Sequence, residues 1–133
     1  MKTTAVGLIQ MRMGSDKGQN LREACDRIAE AASRGANLIV LPELFLTPYF
    51  CQKEDPALFD LAEPIPGPST ARLGVMARQA GLFLSAGLLE KDPGTGHLHN
   101  ASVLLAPDGT LRARYRKVFL YLGERDQIGR AHV

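Results

Sequence analysis

The spacing of apolar positions changes twice within residues 4–41. Thr4 to Met11 (TAVGLIQM) is mixed in pattern and predicts an interior strand. Leu21, Ala24, Cys25, Ile28, Ala31 and Ala32 then recur at steps of three and four, the stripe of an amphipathic helix. Asn20, with Glu23 three residues on, predicts its N-terminal cap, and Gly35 its end. Asn37 to Leu41 (NLIVL) is a short branched run, the signature of a strand buried on both faces, and Pro42 stops it. Strand, helix, strand in this order predicts a βαβ unit with parallel pairing.

The second half changes character. Lys53 to Pro68 is polar and proline-rich, a surface excursion long enough to cover a site. Ser69 or Thr70 is expected to cap a second helix running to about Ala80, with Leu73, Met76, Ala77 and Ala80 as its stripe and Gly81 as its stop. Leu82–Glu90, His99–Ala106 and Leu111–Val118 read as strands, joined by the turns Asp92–Gly96 and Pro107–Thr110. The predicted order β-α-β-loop-α-β-β-β gives an α/β layered fold with a mixed sheet.

Two charged residues stand out against this pattern. Glu43 follows the buried strand directly and is flanked by apolar Leu44, Phe45 and Leu46. A carboxylate there is desolvated in the manner of a general base, and open α/β sheets bind ligands beyond the carboxyl ends of their strands. The plainer alternative is a helix cap or a surface partner for an arginine. Lys117 closes the last strand in phase with Leu111, Ala113 and Tyr115, whereas Arg112, Arg114 and Arg116 occupy the other parity. An ammonium on the apolar side needs a buried partner, and Glu43 is the candidate. Fraying of the strand, leaving Lys117 solvated, is the alternative.

Composition narrows the classes. A 133-residue chain with 45% apolar and 23% charged residues fits one globular domain. A net charge of +2 without a basic run gives no argument for nucleic acid. No apolar run approaches the roughly 20 residues that span a bilayer, and Met-Lys-Thr-Thr does not open a signal peptide. Cys25 and Cys51 make no disulfide framework, which points to a reducing cytoplasm, and Cys25 on the helical stripe reads as core. His97 and His99 share a strand face but lack further ligands nearby, so no metal is expected.

Four segments carry a resemblance: LIVLPELFLTPYF around Glu43, IPGPST at Ile65–Thr70, HNASVLLAPDG at His99–Gly109, and RYRKV at Arg114–Val118. In order and spacing they resemble the nitrilase, or carbon–nitrogen hydrolase, superfamily across residues 4–118. ELFLTPYFCQKED is most similar to the N-carbamoylputrescine amidases of polyamine synthesis, with ω-amidases and β-ureidopropionase-like enzymes as the alternative. The resemblance implies the N-terminal half of an αββα sandwich, hydrolysis of a linear amide or N-carbamoyl amine by a Glu-Lys-Cys mechanism, no cofactor, and a homo-oligomer at full length. By resemblance Glu43 is the general base and Lys117 the cation that stabilises the tetrahedral intermediate, while Tyr49 and Phe50 line the acyl pocket. The family's nucleophilic cysteine lies well beyond the lysine, and neither Cys25 nor Cys51 matches it, so this chain alone is expected to be inactive and prone to aggregate. Residues 1–118 then form a partial hydrolase domain. Residues 119–133 depart from the family pattern, as a frameshift or assembly artefact would, and Glu124 is not carried over as the family's accessory glutamate. A different class of reading, a non-catalytic fragment that binds a ligand or partner through the same pocket, follows if the chain truly stops at Val133. A third, a cysteine enzyme using Cys51, would require that thiol beside a base.

Overall fold

The branched run after the first helix becomes the second strand of a five-stranded sheet. The computed structural model describes residues 3–52, 55–120 and 122–130. In it β1 (Val6–Leu8), β2 (Leu38–Val40) and β3 (Phe83–Lys91) pair in parallel, and β4 (Leu98–Leu105) and β5 (Leu111–Arg116) extend the sheet antiparallel in the order β1-β2-β3-β4-β5. This is the α/β arrangement with a mixed sheet that the pattern predicts.

One face of the sheet is covered. Helices α1 (Lys17–Ser33) and α2 (Pro68–Ala80) bring Ala24, Ile28, Leu73 and Ala77 against Ile39, Leu84, Ala86 and Leu88. Each large side chain buried here contributes roughly 1.5–3 kcal/mol. The opposite face carries Val6, Leu8, Phe83 and Tyr115, all exposed; among the described residues only its end at Leu89 and Leu98 is covered, by Leu44, Phe50 and Ile128.

Both helix starts differ from expectation, for the same reason. Asp16, not Asn20, caps α1, accepting from the Gln19 amide at 2.9 Å. Asn20 is a buried residue within the first turns. Its amide donates to the carbonyls of Gly14 and Leu46, both at 2.8 Å, so it pins the loop after Glu43 onto α1. At α2 the cap is Gly67, with Pro68 in the first turn, and Thr70 Oγ1 reaches back to accept from the Gly67 amide at 2.8 Å. Ser69 donates to the Glu63 carboxylate through its amide (3.1 Å) and hydroxyl (2.9 Å). Asn20 and Ser69 are thus engaged by residues outside their helices, Leu46 and Glu63, which helical spacing does not reveal. Gly81 ends α2 at φ 63°, the left-handed conformation glycine adopts without strain.

The alternation in β5 also differs. Leu105 pairs with Leu111 but its neighbour Leu104 pairs with Ala113, so Arg112 is an extra residue in the ladder. Such a bulge switches the face of everything that follows. Leu111 packs against the helix-side core, whereas Ala113, Tyr115 and Lys117 fall on the open face. Arg114 and Arg116 are the ones that reach inward, to Glu90 on β3.

Helix α3 (Leu122–Arg130) follows β5, and Ile128 joins a smaller core with Leu44, Phe50, Leu89 and Leu98. Tyr121 and residues 131–133 of the tail, and Lys53 and Glu54 of the excursion, lie outside the described residues.

Candidate active site

The chain path places Glu43 at the mouth of the sheet. Leu41 N donates to Ser85 O at 2.9 Å and Phe45 N to Gly87 O at 3.0 Å, so the segment continues along β3 past the end of β2. Gly87 makes this possible: a Cβ there would lie 3.3 Å from Glu43 Cα, tighter than packed atoms ordinarily sit. On β5, Lys117 N donates to Asn100 O at 2.8 Å, which fixes the lysine beside β4.

The structure brings Glu43 and Lys117 together, with Nζ 3.1 Å from Glu43 Oε1. Two residues outside the predicted pair complete the cluster. Glu124, from α3, is fully buried and holds Lys117 Nζ at 3.0 Å through Oε1 and 2.9 Å through Oε2. Asn100, buried on β4, donates from Nδ2 to Glu43 Oε1 at 2.6 Å and to Glu124 Oε1 at 2.8 Å. Two carboxylates therefore share one ammonium. Burial works against the charge on Lys117, but hydrogen bonds to Glu124 and Glu43 outweigh it and hold the group above the usual lysine range.

The two glutamates differ in what they can do. Glu124 has no exposed surface and is gripped by Lys117, by Asn100 and by the Tyr49 hydroxyl. Glu43 has a half-exposed side chain, and among the described residues its Oε2 accepts no hydrogen bond. The full desolvation expected of Glu43 is thus absent, because the part of the face it opens onto is uncovered. A cleft of about 230 Å³ lies there, lined by Glu43, Ser85, Gly87, Asn100, Tyr115 and Lys117 among others. A free carboxylate oxygen beside an ammonium can accept a proton at one position and stabilise a developing oxyanion next to it.

Tyr49 and Phe50 do not share one fate. Burial first, then the hydrogen bond to Glu124, pushes the Tyr49 hydroxyl well above the usual phenol range, so it acts as a donor to that carboxylate. Phe50 is 1% exposed in the smaller core, with its ring against Tyr49 and Phe59, and presents no wall to a ligand. The expectation that Phe50 lines the pocket is corrected by that packing: an aromatic in a loop was recruited as core. Cys25 is buried on α1, and Cys51 lies in the 3-10 turn Phe50–Gln52 beside Tyr49; neither lines the cleft. Asn100 goes unremarked in the sequence although it stands within the HNASVLLAPDG segment, the one signal that points to it. Glu124, not carried over as an accessory glutamate, is placed by the structure against Lys117 and Asn100.

Comparison with known proteins identifies the family of the chain. The sequence model of the carbon–nitrogen hydrolase family matches residues 5–131, which takes in Glu124. Human omega-amidase NIT2 is 39% identical over 121 residues, covering 91% of this chain and 42% of its own length; the mouse protein is 38% identical over the same span. Among solved structures, a carbon–nitrogen hydrolase from Helicobacter pylori G27 superposes with a TM-score of 0.83 at 28% identity, covering 94% of this chain and 43% of that one. Saccharomyces cerevisiae Nit3, of the nitrilase superfamily, gives 0.77 at 28% identity and 93% and 47% coverage. The chain spans less than half the length of these relatives. The matches do not single out N-carbamoylputrescine amidases, the subgroup that one loop suggested. By the extent of the family match, this chain belongs to the carbon–nitrogen hydrolases.

Proposed function

We propose that this chain supplies the base and the lysine of an amidase that hydrolyses a linear amide, with an ω-amide favoured over an N-carbamoyl amine. The observation that carries the reading is the Glu43–Lys117 contact at 3.1 Å with Glu43 Oε2 open to the cleft. In this scheme a cysteine thiol, contributed by residues other than Cys25 and Cys51, passes its proton to Glu43 as its sulfur attacks the amide carbon. Lys117 stabilises the oxyanion of the tetrahedral intermediate. The C–N bond breaks, the nitrogen leaves with a proton returned by Glu43, and water hydrolyses the thioester with Glu43 again taking the proton. Glu124, buried and fully engaged, anchors Lys117 and leaves the proton transfers to Glu43.

The ω-amide preference rests on the omega-amidase relatives, and the N-carbamoyl amine on the ELFLTPYFCQKED loop alone. The product of the complete gene, assayed in parallel on ω-amides of dicarboxylic acids and on N-carbamoylputrescine, separates the two. Ammonia release from the ω-amides at a kcat/KM at least tenfold higher is expected. The reverse ratio would restore the carbamoyl reading, and no hydrolysis of either would remove the amidase reading.

A further inference from the structure

We infer that Asn100 is a positioning residue that closes a ring of hydrogen bonds around the base and the lysine, and that its side-chain amide cannot be replaced by an acceptor. The inference deepens the proposed amidase reading and rests on it. The ring alternates donors and acceptors: Asn100 Nδ2, Glu43 Oε1, Lys117 Nζ, Glu124 Oε1, and back to Asn100 Nδ2, at 2.6, 3.1, 3.0 and 2.8 Å. Both neighbours of Nδ2 are carboxylates, which only accept, so the amide nitrogen and not its oxygen must face them. One primary amide nitrogen has two protons, and each is committed to a different glutamate.

The chemistry of the ring gives Asn100 its task. Two carboxylates that converge on one ammonium repel one another, and an unassisted pair relieves the repulsion by taking up a proton or moving apart. Asn100 offers each carboxylate a donor without adding charge. A lysine here would overcompensate, and an aspartate would place a third acceptor against the other two. The residue is buried, and its backbone carbonyl also accepts from Lys117 N at 2.8 Å. Asn100 therefore sets both the backbone of the lysine and the side chains around it. Ser85 and Ser102, which also line the cleft, each carry a single hydroxyl proton and could not donate to both carboxylates.

The experiment has a spectroscopic arm and a kinetic arm, both on the product of the complete gene. In the unsubstituted protein, NMR should show both Asn100 Nδ2 protons shifted downfield and exchanging slowly; rapid exchange of either overturns the ring. The Lys117 Nζ resonance is then titrated in Asn100→Leu and Asn100→Asp, two variants of similar volume, each checked for a native spectrum. Its midpoint should fall in Asn100→Leu, where the carboxylates lose their tether, and rise in Asn100→Asp, where a negative charge is added. An unchanged midpoint in a folded variant overturns the proposal. For hydrolysis, Asn100→Asp should lose about 100-fold in kcat with KM within threefold and with the acidic limb of the kcat/KM profile moved to higher pH, whereas Asn100→Gln should recover part of kcat. A moved lysine midpoint with an unchanged kcat would support the ring and overturn the amidase role of the Glu43–Lys117 pair instead.

Discussion

Two ionic clusters sit on opposite faces of the same strands. On the helix side, Glu90 is fully buried; Arg116 grips it at 2.8 Å from both Nε and Nη2, Arg114 adds a contact at 2.9 Å, and Arg116 also reaches Asp92 at 2.9 Å. Two acids meet two bases, so the charges balance. Both Glu90 oxygens are engaged, and the geometry is the forked pairing that guanidinium groups favour. On the open side, Glu43 and Glu124 meet one lysine and a neutral amide, and Glu43 keeps an oxygen free at the cleft. A cluster whose charges cancel and whose lone pairs are used fastens a sheet. A cluster with an excess carboxylate and an unused oxygen has capacity left for a proton. Burial alone would have ranked Glu90 above Glu43 as a functional residue, and the balance of partners reverses that order.

Substitution of Lys117 in one cluster and of Glu90 in the other should separate the two most widely. Lys117→Met should lower kcat of the complete gene product by about 10²–10³, as removal of an oxyanion-stabilising donor does. It should also destabilise the fold by about 3 kcal/mol by stranding the buried Glu124. Glu90→Gln should cost a comparable 3 kcal/mol or so in urea unfolding, because two arginines lose a buried partner. Its kcat in the folded fraction should stay within threefold of the parent. A large kcat loss there would mean that the comparison is drawn in the wrong place.

Smaller effects sharpen it. Tyr49→Phe removes one donor to Glu124 and should cost about 1 kcal/mol in stability. It should also abolish the latest-ionising phenol in an ultraviolet alkaline titration, since Tyr49 stays protonated past the range near pH 10 where free phenols ionise. The smallest effect is on alkaline stability. Lys117 is raised above its unfolded value, so the stability from its ion pairs is fully present below about pH 10.4 and is lost as pH rises through the folded value. The difference in thermal midpoint between parent and Lys117→Met should therefore be constant from pH 8 to 9.5 and shrink above pH 10.5. A difference that grows with pH would contradict the pairing.

The mixed sheet and both main helices were readable from local periodicity, whereas the Glu43–Lys117 pairing followed from a premise, Lys117 on the apolar side of β5, that the structure reverses. What escaped the sequence depends on contacts between distant segments. The bulge at Arg112 inverts the phase of β5, so Lys117 reaches Glu43 across the open face and the arginines, taken as the solvent side, are the ones that meet a buried acid. Asn20 looks like a cap by spacing and is instead a clamp on Leu46. Phe50 looks like a pocket wall and packs as core. Glu124 lies in a segment whose letters depart from the expected pattern, and only its folded position shows it against Lys117. Asn100 is a neutral residue on a strand, and the segment around it does not announce that both its protons are spoken for.

The central claim is that Glu43, not the better-buried acids, carries the proton. The direct test is kcat for ω-amide hydrolysis by Glu43→Gln in the complete gene product, with native folding verified by circular dichroism. The side chain is half exposed, so stability should change by less than about 1 kcal/mol. A fall in kcat of at least about 10³ with an unchanged fold is the predicted result. Retention of kcat within tenfold of the parent would contradict the assignment and move the search for the base to another residue.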